Sequence, residues 1–182
     1  MSRWEISAEA AELHADALVW DMTLPIITPG GPEKKADLFA RFAGSGFDFT
    51  TITLAIDGMD FRAAAQQVAD HRCFVQERSE TCVLAESVEE VLQAKREGKL
   101  AVGFHFQGTA PFEDNLAWVD VAYKLGVRHA LMAYNEKNRV GCGCHVSEDT
   151  GLTDFGRELI GEMNRVGMIV DCAHTGYRTT ME

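Results

Sequence analysis

The 182-residue sequence has no run of the roughly 18 apolar residues that a membrane-crossing helix needs. Its opening stretch, MSRWEISAEAAELHADA, holds no uninterrupted apolar segment of the secretory kind. Lysine and arginine form no run, and the net charge of -11 sets up a field that opposes nonspecific binding to nucleic acid or anionic membranes. Low-complexity tracts and charge blocks are also missing. The five cysteines (Cys73, Cys82, Cys142, Cys144, Cys172) are odd in number, and without an export segment they read as reduced thiols rather than a disulfide framework. These absences leave the expectation of a cytoplasmic protein with a small-molecule substrate and neither nucleic acid nor membrane as partner.

What is present is ordinary globular chemistry. Hydrophobic residues make up 46% and charged residues 25%, and the length fits one domain, expected over residues 1–182. Strand-like and helix-like segments alternate. ALVWDM (17–22) reads as a buried strand, and the Pro/Gly-rich stretch 23–35 as a long loop after it. KADLFARFAGSG reads as a helix, FTTITLAID (49–57) as a β-branched strand, and DFRAAAQQVADHRCFVQE as a long helix. TCVLA is a short strand, and Ser87 with Glu90 forms a capping-box pattern ahead of the next helix.

Three similar units follow. Gly98, Gly126 and Gly167 each end a helix, and KLAVGFHFQG, VRHALMAYN and MIVDCAHTG follow as strands. This alternation predicts parallel strands with crossover helices. Asp21, Asp57, Gln107, Tyr134 and His174 fall at or near strand ends, where both a (β/α)8 barrel and a doubly wound sheet carry their chemistry. No glycine-rich nucleotide fingerprint follows any strand, which favours the barrel. About six strands fit in the chain, fewer than a whole barrel, so the expectation is the N-terminal part of a parallel (β/α)8 barrel.

Several residues could carry chemistry. His174, with Asp171 at the same strand end, can offer a neutral imidazole to a metal or act as a general base; equally, it can be a histidine bonded to backbone. His105 and Gln107 lie two apart and share a strand face; Gln is a weak neutral ligand, and His105 is expected to pack. Asp21 and Thr23 share a face at the end of the first strand, where Asp21 can hold a metal or a substrate amine, or cap the following loop. Tyr134, Asn135 and Asn138 sit at another strand end, where the Tyr134 hydroxyl can bond an oxyanion or a carboxylate, or simply reach water. GCGCH (141–145) offers two thiols and an imidazole but lacks a second ligand pair, so it reads as a glycine-rich loop.

FEDNLAWVDVAYKLGVRHALMAYNEKNRVGCGC, the string Gly151-Leu152-Thr153-x-Phe155-Gly156, Met163-Asn164-Arg165-x-Gly167 and Asp171-x-x-His174 resemble the membrane (renal) dipeptidase family. DMTLP stands where that family's first-strand motif belongs, so the resemblance runs from about residue 17 to residue 182. It implies an amidohydrolase-type barrel that cleaves dipeptides with two bridged zinc ions and a hydroxide nucleophile. The family's first-strand His-x-Asp ligand pair falls on Asp21 and Thr23, its bridging Glu on Gln107, and its substrate-binding His on Tyr134. Its ligand His matches at His174, while a second ligand His, a substrate-binding Arg and the catalytic Asp fall beyond Glu182. Gln107 supplies no negative charge between two dications, so one zinc ion or none is expected rather than two. The altered strings resemble a bacterial subgroup with the same kind of ligand changes.

The expected function is a dipeptidase-like metal-dependent hydrolase of a dipeptide or similar small amide. His174 and Asp21 are its expected metal ligands, and Tyr134, Gln107 and Asn138 its substrate contacts. The alternatives are a metal-free or non-catalytic relative that binds a small molecule, or an inactive fragment. A partial barrel leaves strand edges open, so the chain is expected to self-associate. Sedimentation velocity checks this: a single monomeric species at all concentrations counts against it.

Overall fold

The computed structural model describes residues 6–25 and 31–182, with the side chains of all but 31–35. Six strands alternate with helices: β1 (Trp20–Leu24), β2 (Phe49–Ile56), β3 (Cys82–Leu84), β4 (Leu100–Gln107), β5 (Val127–Leu131) and β6 (Ile169–Asp171). They form one sheet in the order β1-β2-β4-β5-β6, with β3 also paired to β4. The pairings β3–β4, β4–β5 and β5–β6 are parallel, as crossover helices require. The helices are α1 (Ala8–Asp16), α2 (Gly31–Ala43), α3 (Phe61–Gln76), α4 (Val88–Arg96), α5 (Ala117–Lys124), α6 (Asp154–Val166) and α7 (Tyr177–Met181). Seven of the eight residues of β4 are buried, which is why FTTITLAI and LAVGFHFQ read as continuous runs rather than as alternation.

The chain divides into two compact units. The first takes in the described residues up to Thr51 together with Val75–Val102; the second is Ile52–Phe74 with Gly103–Glu182.

In the first unit Phe49, Ala85, Val91, Ala94 and Ala101 form an apolar cluster, with Met22 packed against it. Helix α4 opens on the expected capping box: the Glu90 amide donates to Ser87 Oγ, and the Ser87 amide to Glu90 Oε2. In the last turn of α4, Lys95 Nζ donates to both Asp48 oxygens at 2.9 Å and to the carbonyls of Ala15 and Ala17 at 3.2 and 2.9 Å. Asp48 Oδ2 also accepts from the Val19 amide at 2.8 Å. One ammonium thus joins the end of α1, the lead into β1 and the lead into β2.

In the second unit the predicted unit pattern is met. Thr153 Oγ1 caps α6 by accepting from the Gly156 amide, and Gly167 closes it at φ 88° in the left-handed region that glycine enters without a Cβ clash. Leu159 and Met163 on α6, with Val119 and Ala122 on α5, are fully buried. Phe61 stacks on Trp118 with centroids 4.1 Å apart.

Three sequence expectations need correction. The first strand starts at Trp20 rather than at residue 17. The long loop expected over 23–35 is shorter: β1 runs to Leu24 and α2 starts at Gly31, with residues 26–30 outside the described set. Pro32 suits a helix's first turn, where its missing N–H would have no partner in any case. The segment read only as lacking a signal forms α1, whose N-cap Ser7 accepts from the Ala10 amide and which buries no residue. Among the described residues no helix is long and apolar enough to cross a membrane.

Replacing Lys95 with methionine keeps the aliphatic stem but removes the ammonium that Asp48 and two carbonyls share, leaving Asp48 with the Val19 amide. We expect the unfolding free energy to fall by about 1–3 kcal/mol, measured by urea denaturation. An unchanged midpoint would show that water replaces the ammonium at no cost.

Candidate functional site

The second unit carries a polar row on neighbouring strands. Thr53 comes from β2, His105 from β4, His129 from β5 and Asp171 from the end of β6. His105 and His129 are register partners, and their rings stack with centroids 4.5 Å apart and planes 9° from parallel. Thr53 Oγ1 lies 3.0 Å from His105 Nε2, and His129 Nδ1 lies 3.6 Å from Asp171 Oδ2. Both histidines are buried, and His105 Nδ1 has no hydrogen-bond partner among the described residues. Burial, and then the neighbouring His129, push His105 down to about 3, so its ring stays neutral. The His129 ring beside Asp171 holds that carboxyl below the usual range, and the Ala173 amide donating at 2.8 Å to Asp171 Oδ1 adds to this. The packing expected of His105 is what the structure shows, though as part of a polar layer and not an apolar one.

A second network ties the strand ends together. Asp57, just after β2, accepts from the Ala110 amide through Oδ1 and from the Tyr134 amide and Asn138 Nδ2 through Oδ2, at 3.0–3.1 Å. A Cβ on Gly108, which sits at φ 148°, would overlap Asp57. Asn138 Nδ2 also donates to Thr109 Oγ1 and to the Met132 carbonyl, and its Oδ1 accepts from the amides of Val140 and Gly141. Asn138, expected as a substrate contact, has its amide engaged within the fold at both ends.

His174, exposed just after β6, donates from Nδ1 to Asn135 Oδ1 at 2.8 Å, and its ring stacks on Tyr134 with centroids 4.5 Å apart. Asn135 and His174 have φ of 57° and 59°. The GCGCH loop lies against both. The Cys144 amide donates to the His174 carbonyl at 2.7 Å and the His145 amide to the Asn135 carbonyl at 2.8 Å, while Gly143 bridges to Thr175. A Cβ on Gly143 would overlap the Asn135 carbonyl, so this glycine allows the close approach. Cys142 is buried and Cys144 exposed, and all five cysteines are free. The reading of GCGCH as a glycine-rich loop matches this geometry.

Of the other expected residues, Gln107 is half-buried at the end of β4. Asp21, in the first unit, accepts from the Thr23 amide at 2.9 Å through Oδ1, the cap that was one of its two readings. Thr53, His129 and Asp57 were not assigned roles from sequence. Period-2 alternation in GFHFQ and VRHAL puts His105 and His129 on one face each, but which strands lie side by side is not written in either string.

Parallel strands joined by helices, with polar side chains gathered at the strand ends, define an α/β protein of the (β/α)-barrel kind, here in part. The family model for membrane dipeptidase (peptidase family M19) matches residues 14–182, and the chain belongs to that family. It is similar to an amidohydrolase from Pseudomonas aeruginosa, 32% identical with a TM-score of 0.85 over 93% of this chain and 50% of that one. It is also similar in fold to the probable dipeptidase PvdM of the same organism, 18% identical with a TM-score of 0.74 over 95% of this chain and 50% of that one. An uncharacterized dipeptidase of Schizosaccharomyces pombe is 29% identical over 72% of this chain and 32% of its own length. The chain thus spans about a third of that curated relative and half of the similar solved chains.

Family members are metallopeptidases. Among the described residues, no group of three or more His, Cys, Asp or Glu side chains converges as a metal requires. Asp171 is engaged through both oxygens, and Gln107 is neutral. This donor set does not fit a dinuclear zinc site.

The neutral His105 has a measurable consequence. Unfolded, it takes up a proton as pH falls below about 6.5; folded, it resists until about 3. The unfolded state binds more protons across that window, so the folded state loses stability as pH drops from about 6.5 towards 3. Urea denaturation of wild type and His105→Phe at pH 7 and pH 5 is expected to show a smaller loss in the variant. Equal losses would mean that His105 does not contribute.

Proposed function

We propose that this is a dipeptidase-like hydrolase acting on a dipeptide or a similar small amide. The observation that carries the reading is the oriented His174 imidazole: Nδ1 is engaged by Asn135 and the ring lies on Tyr134, so Nε2 is the nitrogen left for chemistry. An imidazole so held can accept a proton from an attacking water and return it to the leaving amine. Tyr134, whose amide Asp57 anchors, offers a hydroxyl to the substrate carbonyl or carboxylate. Gln107 offers an amide that donates and accepts, suited to a neutral peptide group.

Zinc, when bound in this family, lowers the pKa of its water. In the second unit His174 offers it one donor, fewer than the three that hold a catalytic ion. Asp21 remains a proposed donor or amine partner in its own unit. The proton transfers above depend on neither. The five free thiols support a reducing, cytoplasmic setting for the protein.

Gln107 and the lack of a converging ligand group among the described residues favour a second reading, a non-catalytic relative that binds a small molecule. Dipeptide hydrolysis and metal content, measured before and after zinc addition on wild type and His174→Ala, separate the two. We expect wild type to hydrolyse a dipeptide and the variant to lose at least about 100-fold in kcat with its circular dichroism unchanged. Dipeptide binding without turnover in wild type, with or without zinc, would establish the second reading instead.

A further inference from the structure

Asn135 has no role in the reading above beyond its neighbourhood to His174, yet both its backbone and its side chain are held. Its carbonyl is held by the His145 amide at 2.8 Å, and Gly143 presses on its peptide where no side chain fits. Its φ of 57° lies in the left-handed region that asparagine tolerates better than most residues. Its side-chain oxygen faces His174 Nδ1 at 2.8 Å and Cys144 Sγ at 3.5 Å. An imidazole N–H and a thiol S–H are both donors, and a carbonyl oxygen with two lone pairs satisfies both at once.

We propose that Asn135 is a positioning residue that holds His174 in the tautomer with hydrogen on Nδ1. Nε2 then carries the lone pair. The Tyr134 ring fixes the plane of the imidazole, and the Asn135 oxygen fixes its rotation within that plane. The GCGCH loop is the backbone clamp of this device: Cys144 N–H holds the His174 carbonyl at 2.7 Å and His145 N–H holds that of Asn135. The chemistry that this motif supplies is main-chain hydrogen bonding, with the Cys144 thiol as second donor on the same oxygen. Unconstrained histidine favours hydrogen on Nε2, so a locked Nδ1–H form keeps the outward nitrogen ready to accept a proton or a Lewis acid. This consequence rests on His174 being the working imidazole of the proposed hydrolase; the tautomer itself does not.

Long-range 1H–15N correlation of the imidazoles reads the tautomer directly, at pH 9 where histidine rings are neutral. His174→Ala identifies the His174 signals. Asn135→Gly keeps the backbone conformation accessible and removes the oxygen. Asn135→Asp keeps an acceptor. We expect the Nδ1–H form in wild type and Asn135→Asp, and a shift to mainly Nε2–H in Asn135→Gly with the amide spectrum otherwise preserved. Where wild type hydrolyses a dipeptide, kcat should fall about 10–100-fold in Asn135→Gly with KM changed little, and recover in Asn135→Asp. Nε2–H in wild type, or Nδ1–H surviving in Asn135→Gly, overturns the proposal. Loss of the hydrolase reading alone, with no turnover in wild type, leaves the tautomer result to decide the matter.

Discussion

Within the second unit, one carboxylate ties together the segments that follow β2, β4 and β5. Asp57 receives the Ala110 amide after β4, the Tyr134 amide after β5 and the Asn138 side chain beyond it. Two segments, around 110 and 134–138, are thereby held by the two oxygens of a residue far from both in sequence. Backbone amides at the ends of parallel strands have no further ladder partner, so a carboxylate that accepts them removes a cost and fixes the spacing of the mouth at once. Gly108 is part of the same arrangement, because any side chain there would occupy the carboxylate's place.

Two further systems lie in the same unit: His174 on Tyr134, whose amide Asp57 holds, and the Thr53–His105–His129–Asp171 row on the strands. The layers inside a (β/α) barrel are usually branched and apolar. Here one is polar, with a neutral His105 stacked on His129. Asp171 belongs to both systems, since it faces His129 through one oxygen and begins the turn to His174 by accepting the Ala173 amide through the other. The turn that presents the exposed imidazole is thus seated on the buried row. Family membership and this geometry fit together, but the charged, bridging ligand set of a dinuclear hydrolase is not what the described residues assemble.

Much of the fold was legible because it is local. The glycines at 98, 126 and 167 all adopt positive φ after their helices, and the Ser87–Glu90 box forms as its spacing requires. Such signals act within a turn of chain and survive whatever packs around them. Errors fell where a local rule met a competing one. Residues 23–35 look like loop because of their prolines and glycines, yet a proline suits a helix's first turn and α2 begins at Gly31. The bonds of Asn138 to Asp57, Met132 and the next turn were likewise not legible, because they join residues far apart or depend on the fold of the turn.

The sequence by itself determined the alternation of strands and helices, the strand-end location of His174, Tyr134 and Gln107, and the family signature, since each is carried by neighbouring residues. Tertiary structure alone decided that His105 lies on His129, that Asp57 rather than a solvent shell receives the Tyr134 amide, and that Asn135 faces His174 across 39 positions of sequence. The physical reason is the parallel sheet. Register between strands is set by which side chains pack and which amides find acceptors across the sheet, and neither is expressed in the spacing of residues along one strand.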